Sequence, residues 1–155
     1  MQKDKFNFND LFIFEIANNH QGSVDHGKKI IDEMSKIVHD FGLKAAIKFQ
    51  FRHHETFVHP DRVNDKKNKL VKRFLSTKLS EKQFDVLIKH AKKAGLMIMA
   101  STWDEKSVDM AIRLNIDIIK IASCSAKDWP LLLKVSSIKK PVIISTSGLD
   151  INDID

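Results

Sequence analysis

The sequence predicts an α/β protein that contains the first five β/α strands of a (β/α)8 barrel of the TIM type, with the barrel left incomplete. Short apolar runs alternate along the chain with amphipathic stretches, which is the pattern of a parallel sheet with helices outside it. The runs are almost continuously apolar, as in strands buried on both faces. A doubly wound sheet has the same alternation, but no GxGxxG motif follows the first run, which weakens a dinucleotide-binding interpretation.

Five apolar runs are predicted to be strands. Each run is short and ends in polar or small residues, as expected where a strand meets a loop. The predicted strands are residues 11–17, 45–51, 96–101, 117–122 and 141–146.

Between the first two runs the sequence predicts a helix. Ser23 or Asp25 can cap its amino end, and Gly42 is placed to end it. Four apolar residues at helical spacing predict the face that packs on the sheet. They are Ile30, Met34, Ile37 and Phe41.

The later helices also have recognisable amino ends. Ser80 and Gln83 form a capping-box pattern, and Asp104 and Asp128 are placed to cap the next two helices. Residues 52–77 are polar and are predicted to form a long irregular excursion after the second strand.

A complete barrel needs about 250 residues, so residues 1–155 predict a partial barrel with two open, apolar sheet edges. We expect the remaining barrel strands to lie outside this sequence. The remainder of a longer gene product, a second copy of the chain in a homo-oligomer, or a separate partner that completes the barrel can cover the edges.

The net charge of +6 and the pI near 9.4 favour anionic partners. The basic run at residues 66–73 is interpreted as a solvated face of a loop or short helix, because no nucleic-acid-binding pattern accompanies it. No apolar run approaches the length of a membrane span, and the N-terminus lacks a signal peptide. We therefore expect a cytoplasmic protein without a nucleic-acid or membrane partner, and we expect its single cysteine, Cys124, to be buried.

Polar residues collect at the predicted strand ends, where parallel barrels place their active sites. Lys48 and Gln50 are two residues apart and therefore point to the same side of a strand. A lysine in an apolar strand is costly unless an anion meets it, and Lys120 repeats the feature, so the pair suits a phosphate and a carboxylate. An ion pair with Glu15 is the alternative. The strand-end set is Glu15, Lys48, Gln50, Ser101, Thr102, Lys120, Ser123, Ser145, Thr146 and Ser147.

Histidines suggest two further sites. Asn19 and His20 lie in the turn after the first strand, where His20 is a candidate site residue or a loop histidine bonded to backbone. The segment HHETFVH, residues 53–59, offers a metal-binding alternative, although its spacing matches no standard site.

Residues 12–148 resemble the sialic acid (N-acetylneuraminate) synthase family. The motifs that carry the resemblance occur in family order. They are FEIANNHQGS from Phe14, IKFQ from Ile47, the pair Leu79 and Ser80, AST from Ala100, KIAS from Lys120, WPLL from Trp129 and KPVIISTSG from Lys140.

The resemblance implies an enzyme that condenses phosphoenolpyruvate with an N-acetylmannosamine-type amino sugar and releases phosphate. Gln50 would help position the sugar, and Glu15 would act as an acid, a base or an orienter of water. A divalent metal, Mn or Mg, would assist. The phosphoenolpyruvate would be held by Lys48, Thr102, Lys120, Ser123 and Ser145.

The resemblance also implies parts that this sequence does not contain. The family's metal ligands lie on later strands, and a C-terminal antifreeze-like domain contributes to the sugar site. Ser125 stands where the family commonly has a sugar-contacting glutamate. We expect no synthase turnover from this segment alone. The alternatives are a related phosphoenolpyruvate aldol-type synthase that uses a phosphorylated sugar, and a noncatalytic truncated or split-barrel module.

Overall fold

The protein is described here by a computed structural model that covers residues 6–62, 65 and 67–154. Its centre is a parallel sheet of five strands in the order β1-β2-β3-β4-β5. Because neighbours in the sheet are also neighbours in the chain, the sheet is the beginning of a barrel, and the doubly wound alternative with its reversed strand order is excluded. The strands are β1 Leu11–Glu15, β2 Lys44–Phe51, β3 Met97–Thr102, β4 Ile118–Ile121 and β5 Val142–Ile144.

Helices connect the strands. The described helices are α1 Val24–Phe41, α2 His54–Phe57, α3 Lys69–Ser76, α4 Glu81–Lys93, α5 Glu105–Arg113 and α6 Trp129–Ser136. Short 3-10 turns lie at Pro60–Arg62, Ser123–Ser125 and Ile151–Asp153. No helix among the described residues has the length and apolar character needed to cross a membrane.

The predicted caps are confirmed. The Ser23 side chain accepts a hydrogen bond from the His26 backbone N–H, and Gly42 ends α1 with a left-handed φ of 60°. Ser80 and Gln83 form the capping box of α4. Asp104 and Asp128 cap α5 and α6 in the same way as Ser23 caps α1.

The irregular excursion predicted for residues 52–77 is wrong in part, because α2 and α3 lie within it. The Asn68 side chain caps α3 by accepting from the backbone N–H groups of Leu70 and Val71, and Val71 is buried. Lys66 of the basic run lies outside the described residues.

The buried face of α1 is rotated from the predicted one. Ile30 and Met34 pack against the core, but Ile37 and Phe41 are 44% and 74% exposed. A Cβ atom on Gly27 would lie 2.9 Å from Cδ2 of Leu87, so the missing side chain lets α4 approach this part of α1 closely. The buried residues of α1 are Gly27, Ile31, Ser35 and Val38.

The two faces of the sheet differ in chemistry. Toward the helices, Ile47, Phe49 and Phe51 of β2 join the main hydrophobic core. On the other, inner face a small apolar group of Ala46, Met99 and Ile118 is buried. The polar strand residues Glu15, Lys48, Gln50, Ser101 and Lys120 also lie on this inner face, which corresponds to the interior of a barrel.

Both outer strands of the sheet have one described neighbour each, β2 for β1 and β4 for β5. Phe12 and Ile13 of β1 are 50% and 42% exposed, and Ile144 of β5 is 46% exposed. Open apolar edges were predicted and are present in the structure. Cys124 is exposed, contrary to the expectation that it is buried, because it lies in the turn after β4 and not within the strand.

Candidate active site

The inner face of the sheet brings together polar residues from four strands. In the parallel register Glu15 lies opposite Lys48. Side chains that are opposite each other in register share a face, so the next inner row runs from β2 through β3 to β4. That row consists of Gln50, Ser101 and Lys120.

Lys48 forms an ion pair with Glu15 on the neighbouring strand. The Lys48 side chain is 16% exposed and that of Glu15 is 40% exposed. The ion pair that the sequence left as an alternative is therefore present. It does not exclude an anion site, because an ammonium has three donors and one carboxylate oxygen leaves the others free to bind a ligand.

Lys120 has two oxygen partners at the ends of β4 and β5. Its Nζ donates to Oγ of Ser145 at 2.5 Å and to the backbone oxygen of Ile121 at 2.6 Å. Burial lowers the pKa of Lys120, and the nearby charge of Lys48 lowers it further, whereas Glu15 opposes the shift. Two ammonium groups that repel each other are a site where a bound anion is favourable.

Gln50 is held by an arginine that the sequence analysis did not single out. Nη2 of Arg52 donates to Oε1 of Gln50 at 2.6 Å. The Arg52 guanidinium carbon lies 4.6 Å from the ring centre of Phe74 and 4.7 Å from that of Trp103. The sequence gives little indication of these ring contacts, because Phe74 and Trp103 come from segments far from Arg52 along the chain.

Ser101 and Thr102 lie on opposite sides of β3. Ser101 pairs in register with Gln50 and Lys120 on the inner face. Thr102 pairs with Phe51, and its fully buried Oγ1 has no hydrogen-bond partner among the described residues. The structure therefore places Ser101, and not Thr102, with the two lysines, and a substrate contact by Thr102 stays a prediction.

The remaining predicted substrate residues lie in turns. Ser123 is half-buried in the 3-10 turn after β4, near the strand end that carries Lys120. Asn19 is exposed in the turn after β1, where its backbone N–H donates to the Ile16 oxygen at 2.9 Å. Their substrate contacts stay predictions.

His20 is buried on the helix side of the sheet and is separated from the lysines by it. It is 2% exposed, its Nδ1 accepts from the Gly22 backbone N–H at 3.1 Å, and its ring packs edge-on against Phe84. Phe84 in turn contacts Phe51 of the main core. His20 is therefore the backbone-bonded loop histidine that the sequence analysis gave as an alternative. A role of His20 in substrate binding stays a prediction, and this placement does not support it.

The described residues do not fit a metal. Among them no group of three His, Cys, Asp or Glu side chains is placed to hold one. In the HHETFVH segment His53 lies near Glu55 and His59 near Asp61, each at 3.7 Å, while the side chain of His54 is outside the description. The divalent metal stays an expectation from the family resemblance.

The site therefore has the chemistry of an anion-binding group of side chains at the carboxyl ends of parallel strands. It contains two ammonium groups, two hydroxyls and an amide on one face, with one carboxylate beside them. The fold and this site define a protein with a partial (β/α) barrel whose strand ends carry a group of side chains that suits a small anionic ligand.

The comparison with protein families identifies the group. Residues 39–155 match the model of the NeuB family, and the chain belongs to this family. The identification also supports the fold, since a sialic acid synthetase is among the solved structures that match.

The chain is similar to three proteins that have a name or a solved structure. N-acetylneuraminate-9-phosphate synthase of Drosophila melanogaster is 33% identical over 138 residues, 86% of this chain. A crystal structure assigned to spore coat polysaccharide biosynthesis protein E of Chromobacterium violaceum matches 95% of this chain with 41% identity and a TM-score of 0.91. N-acetylneuraminic acid synthetase of Leptospira borgpetersenii, crystallised with citrate, matches 94% with 26% identity and a TM-score of 0.76. The chain spans 37%, 44% and 47% of the lengths of these three proteins, respectively.

Proposed function

We propose that this chain carries the phosphoenolpyruvate-binding part of a sugar-acid synthase, which condenses phosphoenolpyruvate with an N-acetylmannosamine-type sugar to form a sialic (nonulosonic) acid. One observation carries the proposal. Lys48 and Lys120 share the inner face of the sheet, close enough for the charge of one to lower the pKa of the other. Membership of the NeuB family supports it.

The two lysines would divide the two anionic groups of phosphoenolpyruvate between them. Lys120 already binds the Ser145 hydroxyl, so the pair presents one ammonium and one hydroxyl to a phosphate or carboxylate oxygen. Charge-assisted hydrogen bonds of this kind are about twice as strong as neutral ones. The fixed cations would also stabilise the phosphate as it leaves.

The reaction itself balances without a redox partner. C3 of phosphoenolpyruvate bonds to the aldehyde carbon of the open-chain sugar, and the double bond between C2 and C3 becomes single as water adds to C2. The bond from C2 to the phosphate oxygen then breaks, and the two protons of the water end on the new sugar hydroxyl and on the departing phosphate. The products are a 2-keto sugar acid and inorganic phosphate. Glu15, which is ion-paired with Lys48, would accept a proton from that water or orient it.

A ligand series tests the proposal. We expect the purified chain to bind phosphoenolpyruvate about tenfold or more tightly than either pyruvate or inorganic phosphate, because only phosphoenolpyruvate engages both lysines. Equilibrium titrations of the three ligands at one ionic strength measure the difference. Equal affinity for phosphate and phosphoenolpyruvate would contradict a site built for both groups.

The phosphorylation state of the acceptor sugar is a second question. The Drosophila relative is named for a phosphorylated product, whereas the Leptospira structure is named for the unphosphorylated acid. Titration of N-acetylmannosamine and of its 6-phosphate into the chain with phosphoenolpyruvate present separates the two. Tighter binding of the phosphorylated sugar would favour the related synthase that uses a phosphorylated acceptor.

A further inference from the structure

Arg52 determines which way the Gln50 amide faces. The Arg52 guanidinium has only N–H donors, so the Gln50 atom that lies 2.6 Å from its Nη2 is the amide oxygen. The Nε2 group, with its two hydrogens, is then on the side away from Arg52. Among the described residues, the hydrogen bond of the Gln50 side chain is the one that Oε1 accepts from Arg52.

Arg52 is itself held in place by three aromatic rings. Its guanidinium carbon lies 5.4 Å from the ring centre of Phe57, 4.6 Å from Phe74 and 4.7 Å from Trp103. The rings also contact one another, since Phe57 lies 5.4 Å from Phe74 and 6.0 Å from Trp103. A guanidinium against aromatic faces is attracted by the ring quadrupoles, more strongly where water is excluded. We call Phe57, Phe74 and Trp103 the aromatic cage.

The cage gathers three separate parts of the chain around the end of β2. Phe57 belongs to α2, Phe74 to α3, and Trp103 follows β3. The guanidinium is half-buried, and its burial lowers the pKa of Arg52, as does the charge of Arg73. Glu15 opposes this shift, which places Arg52 in the electrostatic neighbourhood of the candidate active site.

We propose that Arg52 is a positioning residue for the acceptor sugar: held by the aromatic cage, it fixes the Gln50 amide so that Nε2 donates to an oxygen of the sugar. This inference rests on the proposed function and adds a specificity to it. The subsite takes a hydroxyl or carbonyl oxygen that accepts a hydrogen bond, and it disfavours an N–H donor in that place. Without Arg52 the amide can rotate and present either end.

A double-mutant cycle between Arg52 and Gln50 tests the proposal. The variants Arg52→Ala, Gln50→Met and the double variant are titrated with N-acetylmannosamine in the presence of phosphoenolpyruvate. We expect each single variant to weaken sugar binding by about tenfold, the usual loss for a hydrogen bond in a polar site. We expect the double variant to be no weaker than Gln50→Met, because Arg52 acts only through Gln50. An additive double variant would overturn the proposal.

The Gln50 side-chain amide gives a second, spectroscopic readout. Its NH2 pair in a ¹⁵N-correlated spectrum is identified by its loss in Gln50→Met, and we expect it to shift in Arg52→Ala. Arg52→Lys retains a cation for the cage but not the planar fork, and it is measured in the same cycle in case Arg52→Ala does not fold. Arg113→Ala is the matched control, because Arg113 is an exposed arginine that pairs with Glu81 on the helix surface.

The outcomes separate this proposal from the proposed function. A wild-type chain that does not bind phosphoenolpyruvate refutes the proposed function, while the amide spectrum still decides whether Arg52 orients Gln50. A chain that binds phosphoenolpyruvate but not N-acetylmannosamine overturns the sugar contact. An NH2 pair that is the same in wild type and in the Arg52 variants overturns the orientation by Arg52.

Discussion

His20 illustrates how burial sets the charge of a single residue. The imidazole is 2% exposed, and its Nδ1 accepts a hydrogen bond from the Gly22 backbone, which requires the neutral ring. Burial, with a smaller contribution from the charge of His26, lowers the pKa of His20 from 6.5 to about 4. In the unfolded chain the same ring titrates near its ordinary pKa.

We expect the free energy of unfolding to fall as the pH decreases from about 6.5 to about 4. In this window the unfolded chain binds a proton at His20 and the native chain does not, so the loss is about 1.4 kcal/mol per pH unit, or roughly 3 kcal/mol in total. Above the window the stabilisation is complete. Urea unfolding at several pH values measures it, with His20→Asn expected to flatten the slope and the exposed His39→Asn expected to keep it. An unchanged slope in His20→Asn would count against the shifted pKa.

At the scale of residues, strand alternation is the part of the site that the sequence predicts well. Lys48 and Gln50 share a face because side chains alternate along a strand, and the structure confirms this placement. Contact between Arg52 and the aromatic cage could not be predicted, because it depends on how α2 and α3 fold back over the sheet. Ion pairing of Lys48 was one of two alternatives that local sequence cannot distinguish.

At the scale of elements, the turn after β1 packs closely against the end of α3. Gly22 has a φ of +74°, and a Cβ atom built on it would lie 3.0 Å from the backbone oxygen of Ser76. Gly42, which ends α1, has a similar φ of +60° but has no atom within 4 Å of such a Cβ. A comparison of the two glycines therefore separates the energetic cost of backbone strain from that of a steric contact.

We expect Gly22→Ala to destabilise the protein more than Gly42→Ala. Both variants force alanine into the left-handed region, which costs roughly 1–2 kcal/mol. Only Gly22→Ala also meets a backbone atom that cannot move aside easily, which adds about 1 kcal/mol or more. Thermal or urea unfolding of the two variants measures the difference. Equal destabilisation would show that the turn and α3 are not packed as described.

Element ends were predictable because caps are local chemistry. The side chains of Ser23, Ser80, Asp104 and Asp128 each accept a backbone hydrogen bond within three residues, which is visible in the sequence. The short helix α2 was missed, and α3 was left as one of two alternatives, a loop or a short helix. Both lie in a polar segment where single contacts, such as the burial of Val71, outweigh composition. The rotation of α1 depends on Gly27 and Leu87, a contact between two helices that periodicity cannot show.

For the whole molecule, the alternation of strands and helices was sufficient to predict the parallel sheet. It was not sufficient to predict the strand order, because a doubly wound sheet has the same alternation, and the barrel was favoured by the missing GxGxxG motif and the family resemblance. What covers the sheet edges could not be predicted. Phe12, Ile13 and Ile144 are exposed in the described structure, and more than one kind of partner could bury them. Completion of the barrel by a second copy, by another chain or by a longer gene product stays a prediction. The chain spans 37% of the length of the Drosophila relative, which is consistent with any of these.

Lys48 of β2 and Lys120 of β4 are proposed to assemble one anion site across the sheet. Calorimetric titration of phosphoenolpyruvate into wild type, Lys48→Ala and Lys120→Ala measures whether both lysines contribute to it. Lys44→Ala is the matched control, because Lys44 also belongs to β2 but lies at its other end, where Nζ binds the Asn7 backbone oxygen at 2.6 Å. We expect saturable binding that weakens by about tenfold or more in each site variant and stays unchanged in the control. Circular dichroism establishes that every variant is folded. Absence of binding to the folded wild-type chain, or equal weakening in Lys44→Ala, would contradict the claim.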